Sequence, residues 1–363
     1  MNFVSWKAWT HRLRGNEISL RSMALCLAIG SQACASPVSL LAPTERVLVT
    51  DIDYTHAHRL VNVGGSRSMN LFCAGTGSPT VVFDADAGSA GWDWVLVHPM
   101  VATHTQACVY DRAGLGFSDP ASGGGTSGSA VSDLHRLLFA ANIKPPFVLV
   151  GQGYGGLNVE LYAATHPDEV SGLVLVDPTD ADEGALADHL AGGAFSRALV
   201  ENDVFLRHCA ESASSAASGT EPLDKACGES QRRSPFGPAL GKTVLDSAEK
   251  SSFWIANRAE EVQIRASSDQ LHRRRRSFGS MSVIILTRGV GLYDTPGKAP
   301  SGLSIKFEQQ VGAMRDALAR LSSRGVNRVV SGSGHDVHID RPKAVVDAID
   351  EVLAPLKPKL STR

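Results

Sequence analysis

The sequence lacks several features that would have fixed its function class at once. It has no surplus of charge: a formal net charge of -2 over 363 residues gives no global attraction for nucleic acid. Its one basic block, Arg273-Arg274-Arg275-Arg276, reads as a solvated face. It has no C-x-x-C and no His/Cys cluster at metal-binding spacing, so neither a metal nor a cofactor is expected. No internal repeat is present. The composition, 43% hydrophobic and 20% charged, is that of a globular chain with ample length for a sizeable core.

The N-terminus reads as an export signal. Lys7, Arg12, Arg14 and Arg21 precede a short apolar run at residues 23–29, and Ala33-Cys34-Ala35 offers an A-x-A cleavage site before Ser36. The run is too short to span a bilayer as a helix, so no stable membrane span is expected. A lipoprotein signal at Cys34 fits less well, because Ser31-Gln32-Ala33 lacks the leucine such a site needs; a disordered leader is the plain alternative. Cleavage removes Cys26 and Cys34 and leaves Cys73, Cys108, Cys209 and Cys227, an even set that in an exported chain suggests disulfides. Cys209 and Cys227 flank a Ser/Ala/Gly-rich loop and are placed to staple it. Cys73 and Cys108 pair if their strands are neighbours, and are buried thiols otherwise. The expected organisation is therefore a signal peptide at 1–35, a folded domain at 36–355 and a tail at 356–363, with a periplasmic or secreted location.

Along the folded part, short apolar runs alternate with helical periodicity. Residues 58–63 and 68–73 read as a hairpin around Gly64-Gly65, and 80–83, 107–110, 147–150, 172–176, 281–286 and 328–330 as further strands. Residues 92–102, 127–141, 154–165, 305–321 and 342–353 read as helices. This alternation implies β-α-β units and a mostly parallel sheet covered on both faces. From about 179 to 278 the sequence turns polar and irregular, as a cap or lid inserted between two strands would.

One turn stands out. In Val148-Leu149-Val150-Gly151-Gln152-Gly153-Tyr154-Gly155-Gly156, an apolar strand runs into glycines spaced as in G-x-S-x-G, but Gly153 occupies the central position. In so tight a strand-to-helix turn, side chains at 151 and 155 would collide with neighbouring elements. The central residue needs positive φ, which strains any other residue type by about 1–3 kcal/mol and glycine not at all. The same residues satisfy G-x-G-x-x-G, with Asp177 about twenty residues on, which leaves a dinucleotide-binding reading open.

Four segments in the right order carry a family resemblance: Cys108-Val109-Tyr110-Asp111-Arg112-Ala113-Gly114-Leu115-Gly116-Phe117-Ser118-Asp119, the turn at 151–155, Gly172-Leu173-Val174-Leu175-Val176-Asp177-Pro178, and Gly332-Ser333-Gly334-His335. Together with a closing helix at 342–349, they resemble the α/β-hydrolases, and the likeness extends over residues 58–355 apart from the insertion. It implies that His335 is the general base, with His338 a weaker choice. It leaves two carboxylates for the histidine's partner: Asp294, in the typical acid loop but some eight residues past its strand, and Asp177, adjacent to its strand. It marks Gly153 as the nucleophile position, with the serine missing. Tyr154, Ala87, Asp86 and Gln152 are the candidate oxyanion or ligand-binding positions. After strand 80–83 the family presents a Gly-rich turn where this chain has Asp84-Ala85-Asp86-Ala87-Gly88. A carboxylate at Asp86 opposes an oxyanion if it points inward, and the reading favoured here turns it to solvent.

Gly153 has nothing to attack an acyl carbon with, and removing such a nucleophile costs about 10⁶ in turnover in a serine protease. Ser333 and Ser89 are nearby hydroxyls, but neither sits on an elbow. The first functional reading is a non-hydrolytic or strongly impaired esterase-like protein that binds a small apolar ligand, an ester-like molecule or a partner. The second is an enzyme whose His335 activates water or abstracts a proton directly. Under either, Gly153→Ser is expected to restore some esterase activity if the oxyanion loop and acid are intact.

Overall fold

The structure, a computed structural model, describes residues 52–356 except 121–122, 233–235 and 296. The proposed signal and both of its cysteines lie outside the described residues. Eight strands form one sheet: β1 (Arg59–Gly64), β2 (Arg67–Ala74), β3 (Thr80–Asp84), β4 (Ala107–Tyr110), β5 (Phe147–Gln152), β6 (Val170–Val176), β7 (Gly279–Arg288) and β8 (Ser322–Val330). Their order is β1-β2-β4-β3-β5-β6-β7-β8. β1 and β2 form the antiparallel hairpin and β2 pairs antiparallel with β4; every other neighbour is parallel.

The inner strands are unbroken apolar runs because both of their faces are covered. Val81 and Phe83, Val148 and Val150, and Val174 and Val176 point into one core, which includes Val345, Ile349 and Val352 of the helix Pro342–Leu353. Val82, Leu149, Leu173 and Leu175 point into the other, against Leu134 and Leu137 of Ser127–Ala140 and Leu157 and Leu161 of Tyr154–Thr165. This period-two alternation buries each face separately.

Two stretches differ from the sequence reading. Residues 92–102 form two pieces, a 3₁₀ turn Gly91–Trp94 and a helix His98–Ala102. Pro99, which lacks an N–H, fits only the first turn of a helix, so the second piece starts there. The polar stretch between β6 and β7 is not irregular but six helices: Ala181–Ala191, Ala194–Ala217, Lys225–Ser230, Pro238–Ala248, Ser251–Val262 and Ile264–Arg274. Their buried stripes are narrow and built partly from small or polar residues, as with Asn202, Leu206, Cys209 and Ala213 on the second helix. Such a stripe leaves little trace in hydropathy.

Cys73 and Cys108 face each other directly in the β2–β4 register and form a disulfide; Cys209 and Cys227 form a second. The second closes a loop with a sequence separation of 18. Replacing both of its cysteines by serine is expected to lower the unfolding free energy by about 3 kcal/mol, the loop-closure entropy of a loop this size, read by urea denaturation. Alkylation by iodoacetamide in the folded, unreduced protein should leave all of these cysteines unmodified.

Candidate active site

The sheet order puts a crevice between β3 and β5. The chain leaves β3 toward β4 on one side and leaves β5 toward β6 on the other, so the connections diverge at this point. Register then decides what meets across it. Asp84 of β3 pairs with Gly151 of β5, so Asp86 and Gly153 each lie two residues beyond the same rung. On the other side of β5, Gln152 pairs with Val176, which brings Asp177 beside the turn. Val176 pairs with Leu286, and Arg288 pairs with Val330, so Arg288 and the loop after β8 complete the cluster.

Residues 151–155 form the sharp turn that the glycine spacing predicts. Gly153 has φ 54° and ψ -120°, and the helix Tyr154–Thr165 starts immediately after it. A Cβ at Gly151 would overlap the Gly155 backbone, and one at Gly155 would overlap the backbone of Asp84 and Ala85. These glycines are therefore fixed by strand-helix packing.

The vacancy above Gly153 is filled by Asp86. Its side chain points inward and is 6% exposed, opposite to the solvent-facing reading. Oδ1 accepts a hydrogen bond from the Tyr154 backbone N–H at 2.7 Å, and Oδ2 lies 3.4 Å from His335 Nε2. A Cβ at residue 153 would overlap Asp86 Oδ1 and Cγ. The carboxylate thus occupies the space that a residue-153 side chain would take, and uses the N–H that would otherwise face an oxyanion. Sequence reasoning missed this because loop direction depends on backbone anchoring far away in the chain.

That anchor is Arg112. Its guanidinium donates to Asp84 Oδ1 at 2.5 Å, to the carbonyls of Ala85 and Asp86 at 2.7 Å each, and to Glu260 at 2.6 and 2.8 Å. Glu260, on the helix Ser251–Val262, also accepts from the Gly88 N–H at 2.7 Å. Ala87 is buried within this tethered loop. Burial opposes the charge on Arg112, but Glu260 and Asp84 outweigh it and hold the guanidinium firmly protonated. The Asp111-Arg112 pair was visible as a motif; its contact with Glu260, 148 positions on, was not.

His335 lies between two carboxylates. Nδ1 is 2.7 Å from Asp177 Oδ2, opposite the ring nitrogen that approaches Asp86. Burial alone would lower its pKa, but hydrogen bonds to Asp177 and then Asp86 outweigh that and raise it to about 10. The ring is therefore a cation at neutral pH and not a free base. The Gln152 carboxamide sits 3.0 Å from Nε2. The carboxamide Nε2 is the atom that faces the ring, and it also donates to the His335 carbonyl at 3.5 Å. Asp177 is itself fully buried. Burial would raise its pKa, but Arg288, 3.0 Å away, and His335 hold it well below the carboxylate range. Arg288 continues the network to Glu183 at 2.7 Å and to Glu308, and Arg315 reaches Glu183 at 2.8 Å.

Asp294, the acid suggested by the usual loop position, does not meet His335. Its carboxylate accepts from the Gly291 N–H at 2.7 Å and the Ser304 hydroxyl at 2.6 Å, closing its own loop. The His338 ring packs on Trp94 with centroids 4.8 Å apart. The Ser333 hydroxyl is turned to the Gly334 carbonyl. Arg288 and Glu183 escaped sequence reasoning; the available signal, for Arg288 alone, was a charged residue directly ending a buried parallel strand.

The profile of the alpha/beta hydrolase fold family matches residues 87–267. The chain belongs to the α/β-hydrolase superfamily. It is 32% identical over 108 residues to an uncharacterized Bacillus subtilis protein, YqjL, covering 30% of this chain and 43% of that one. It is 32% identical over 109 residues to a cis-3-alkyl-4-alkyloxetan-2-one decarboxylase of Shewanella oneidensis, covering 28% of this chain and 33% of the other. The chain thus spans less than half the length of these relatives. Among solved structures, the epoxide hydrolase CorEH superposes on this α/β-hydrolase with a TM-score of 0.57 at 16% identity, over 83% of this chain and 99% of that one. At that identity the likeness is one of fold. No helix among the described residues is long and apolar enough to cross a membrane.

A cation so held stabilises the fold in a defined pH window. With its folded pKa above the ordinary 6.5, the contribution of His335 is complete below pH 6.5 and is lost as pH rises through about 10. Urea denaturation should show a loss of at most about 5 kcal/mol between those limits, and His335→Gln should flatten it.

Proposed function

We propose that this α/β-hydrolase does not hydrolyse carboxylic esters through an acyl-enzyme on its elbow, and that it binds a small apolar molecule beneath the helices between β6 and β7. The observation that carries this reading is the Asp86 carboxylate standing over Gly153 with its oxygen on the Tyr154 N–H. An acyl group has no hydroxyl to accept it there, and the developing oxyanion would meet a negative charge. Direct activation of water by His335 is disfavoured by the same geometry, because the ring is a cation held by two carboxylates. A dinucleotide is disfavoured as well, since Asp177 is committed to His335 and Arg288 rather than free for a ribose. The two disulfides fit an oxidising compartment, and the basic leader with its A-x-A site supports export to the periplasm or beyond.

A fluorophosphonate probe tests the reading. The expected result is no covalent label and ester turnover at the buffer rate across an aryl-ester panel, with thermal stabilisation by medium-chain aliphatic alcohols. Stoichiometric labelling, or ester turnover that disappears in His335→Ala, would refute it.

A further inference from the structure

We infer that the second disulfide conceals a zinc site: once Cys209 and Cys227 are reduced, their sulfurs, the His208 ring and the Asp224 carboxylate together hold one zinc ion. The inference lies outside the cleft and does not depend on what the cleft does. The helix Ala194–Ala217 supplies His208 and Cys209, and the helix Lys225–Ser230 follows Asp224 and carries Cys227. A nitrogen of His208, a carboxylate oxygen of Asp224 and the Cys227 sulfur all lie within 4.8 Å of one another. Cys209 is bonded to Cys227, so its sulfur completes a set of four. No local spacing announces this set, because residues 208–209 and 224–227 meet only through the fold.

Geometry and ligand chemistry select the metal. Zinc takes sulfur at about 2.3 Å and nitrogen or oxygen at about 2.0–2.2 Å in a tetrahedron, so neighbouring ligand atoms stand about 3.4–3.8 Å apart. His208 Nε2 and Asp224 Oδ2 are 3.5 Å apart, long for a hydrogen bond but right for two ligands of one ion. Asp224 is already oriented for this role. Its Oδ1 accepts from the Ala226 N–H at 2.8 Å and its own N–H donates to the Ser212 hydroxyl at 2.8 Å, which leaves Oδ2 turned to the imidazole. The His208 and Asp224 side chains are 55% and 42% exposed, whereas both cysteines are buried, so an ion has a way in and a closed floor. Two thiolates and an imidazole also select against calcium and magnesium, which take oxygen ligands.

The redox step balances. In the oxidised chain each sulfur is tied to the other and offers no thiolate to a metal. A dithiol reductant passes two electrons to the Cys209–Cys227 bond and becomes a cyclic disulfide, and its two protons go to the separated sulfurs. Zinc then displaces those protons to water, and both thiolates, the neutral imidazole and the carboxylate bind it. The loop of residues 210–226 is closed in both states, by a covalent bond in one and by an ion in the other. In a chain bound for an oxidising compartment, the ion ties this loop before its cysteines are oxidised.

The test uses the full mature chain reduced with a phosphine, which competes for the ion less than a dithiol does. Cobalt(II) is the spectroscopic probe and zinc the competitor. One equivalent of cobalt should give the thiolate charge-transfer band and the intense visible bands of tetrahedral coordination, and zinc should abolish both. The oxidised chain should give neither. His208→Ala and Asp224→Asn keep every thiol, and each should weaken binding by at least about 10²-fold, the upper end of what a supporting residue of a metal site is worth. A cobalt spectrum and affinity unchanged in His208→Ala would assign the ion to thiols elsewhere or to thiols alone, and overturns the site. So does a reduced chain that takes up no cobalt, whether or not circular dichroism shows it folded. None of these readouts involves the cleft, so failure here leaves the proposed function standing, and labelling by the fluorophosphonate leaves this site standing.

Discussion

Gly153→Ser alone is expected to stay inactive toward esters and to lose stability, whereas Gly153→Ser combined with Asp86→Gly is expected to hydrolyse short aryl esters. Residue 153 has φ 54°, a conformation that costs a serine about 1–3 kcal/mol. Its Cβ would also overlap Asp86, forcing the carboxylate off the Tyr154 N–H into buried surroundings. Even with a hydroxyl in place, two obstacles persist in the single variant. A negative charge stays beside the developing oxyanion, and His335 stays protonated between Asp86 and Asp177. Removing Asp86 clears both: the N–H is freed, and with one carboxylate partner the pKa of His335 falls toward its ordinary value. A single oxyanion donor is worth about 10²–10³ in turnover, so the double variant should exceed the single by at least about 10²-fold in p-nitrophenyl acetate hydrolysis. The expectation from sequence made serine sufficient only with an open oxyanion loop, and the inward Asp86 on the Tyr154 N–H does not meet that condition. Equal rates for the two variants would show that Asp86 does not obstruct the site.

Arg112→Met is expected to be the most destabilising single change outside the hydrophobic cores. Arg112 is buried and makes charge-assisted bonds to Asp84 and Glu260, besides satisfying two backbone carbonyls. Methionine fills similar space but leaves two buried carboxylates without their shared cation. Breaking a buried pair in this way costs about 3–5 kcal/mol, which for a chain of this size corresponds to a fall in Tm on the order of 10 °C. Asp84 loses its main favourable charge partner, so its pKa, already raised by burial, should rise further. Arg112→Lys keeps the charge but not the planar fork, and should recover only part of the loss. A Tm unchanged in both variants would mean that the loop 84–88 is held by something else.

How far the sequence was legible depends on the range of the forces involved. The apolar runs at β3, β5 and β6 announce buried parallel strands because each residue there answers to a local requirement, burial on both faces. The turn at 151–155 was legible for the same reason: strand-helix contact and positive φ at residue 153 admit glycine and little else. The helices between β6 and β7 were not legible. Their stripes depend on partners such as Asn257 and Glu260, which are polar in sequence and buried only because Gly88 and Arg112 lie against them.

The choice between Asp177 and Asp294 follows the same division. Asp177 directly follows its predicted strand and Asp294 lies some eight residues beyond its own in the usual acid loop, so local sequence leaves both open. The β6–β7 register sets Arg288 beside Asp177 and leaves Asp294 bonded within its own loop. Asp86 is the clearest case, since a loop aspartate ordinarily seeks water.

By itself the sequence determined the alternating fold, the strained turn, its missing hydroxyl and the histidine loop, because strand burial and glycine geometry are written residue by residue. Only the tertiary structure decided that Asp86 turns inward over Gly153 and that His335 is clamped between Asp86 and Asp177. Those outcomes rest on Arg112, Glu260 and Arg288, charges brought together across the sheet, whose energies exist only once water has been excluded from between them.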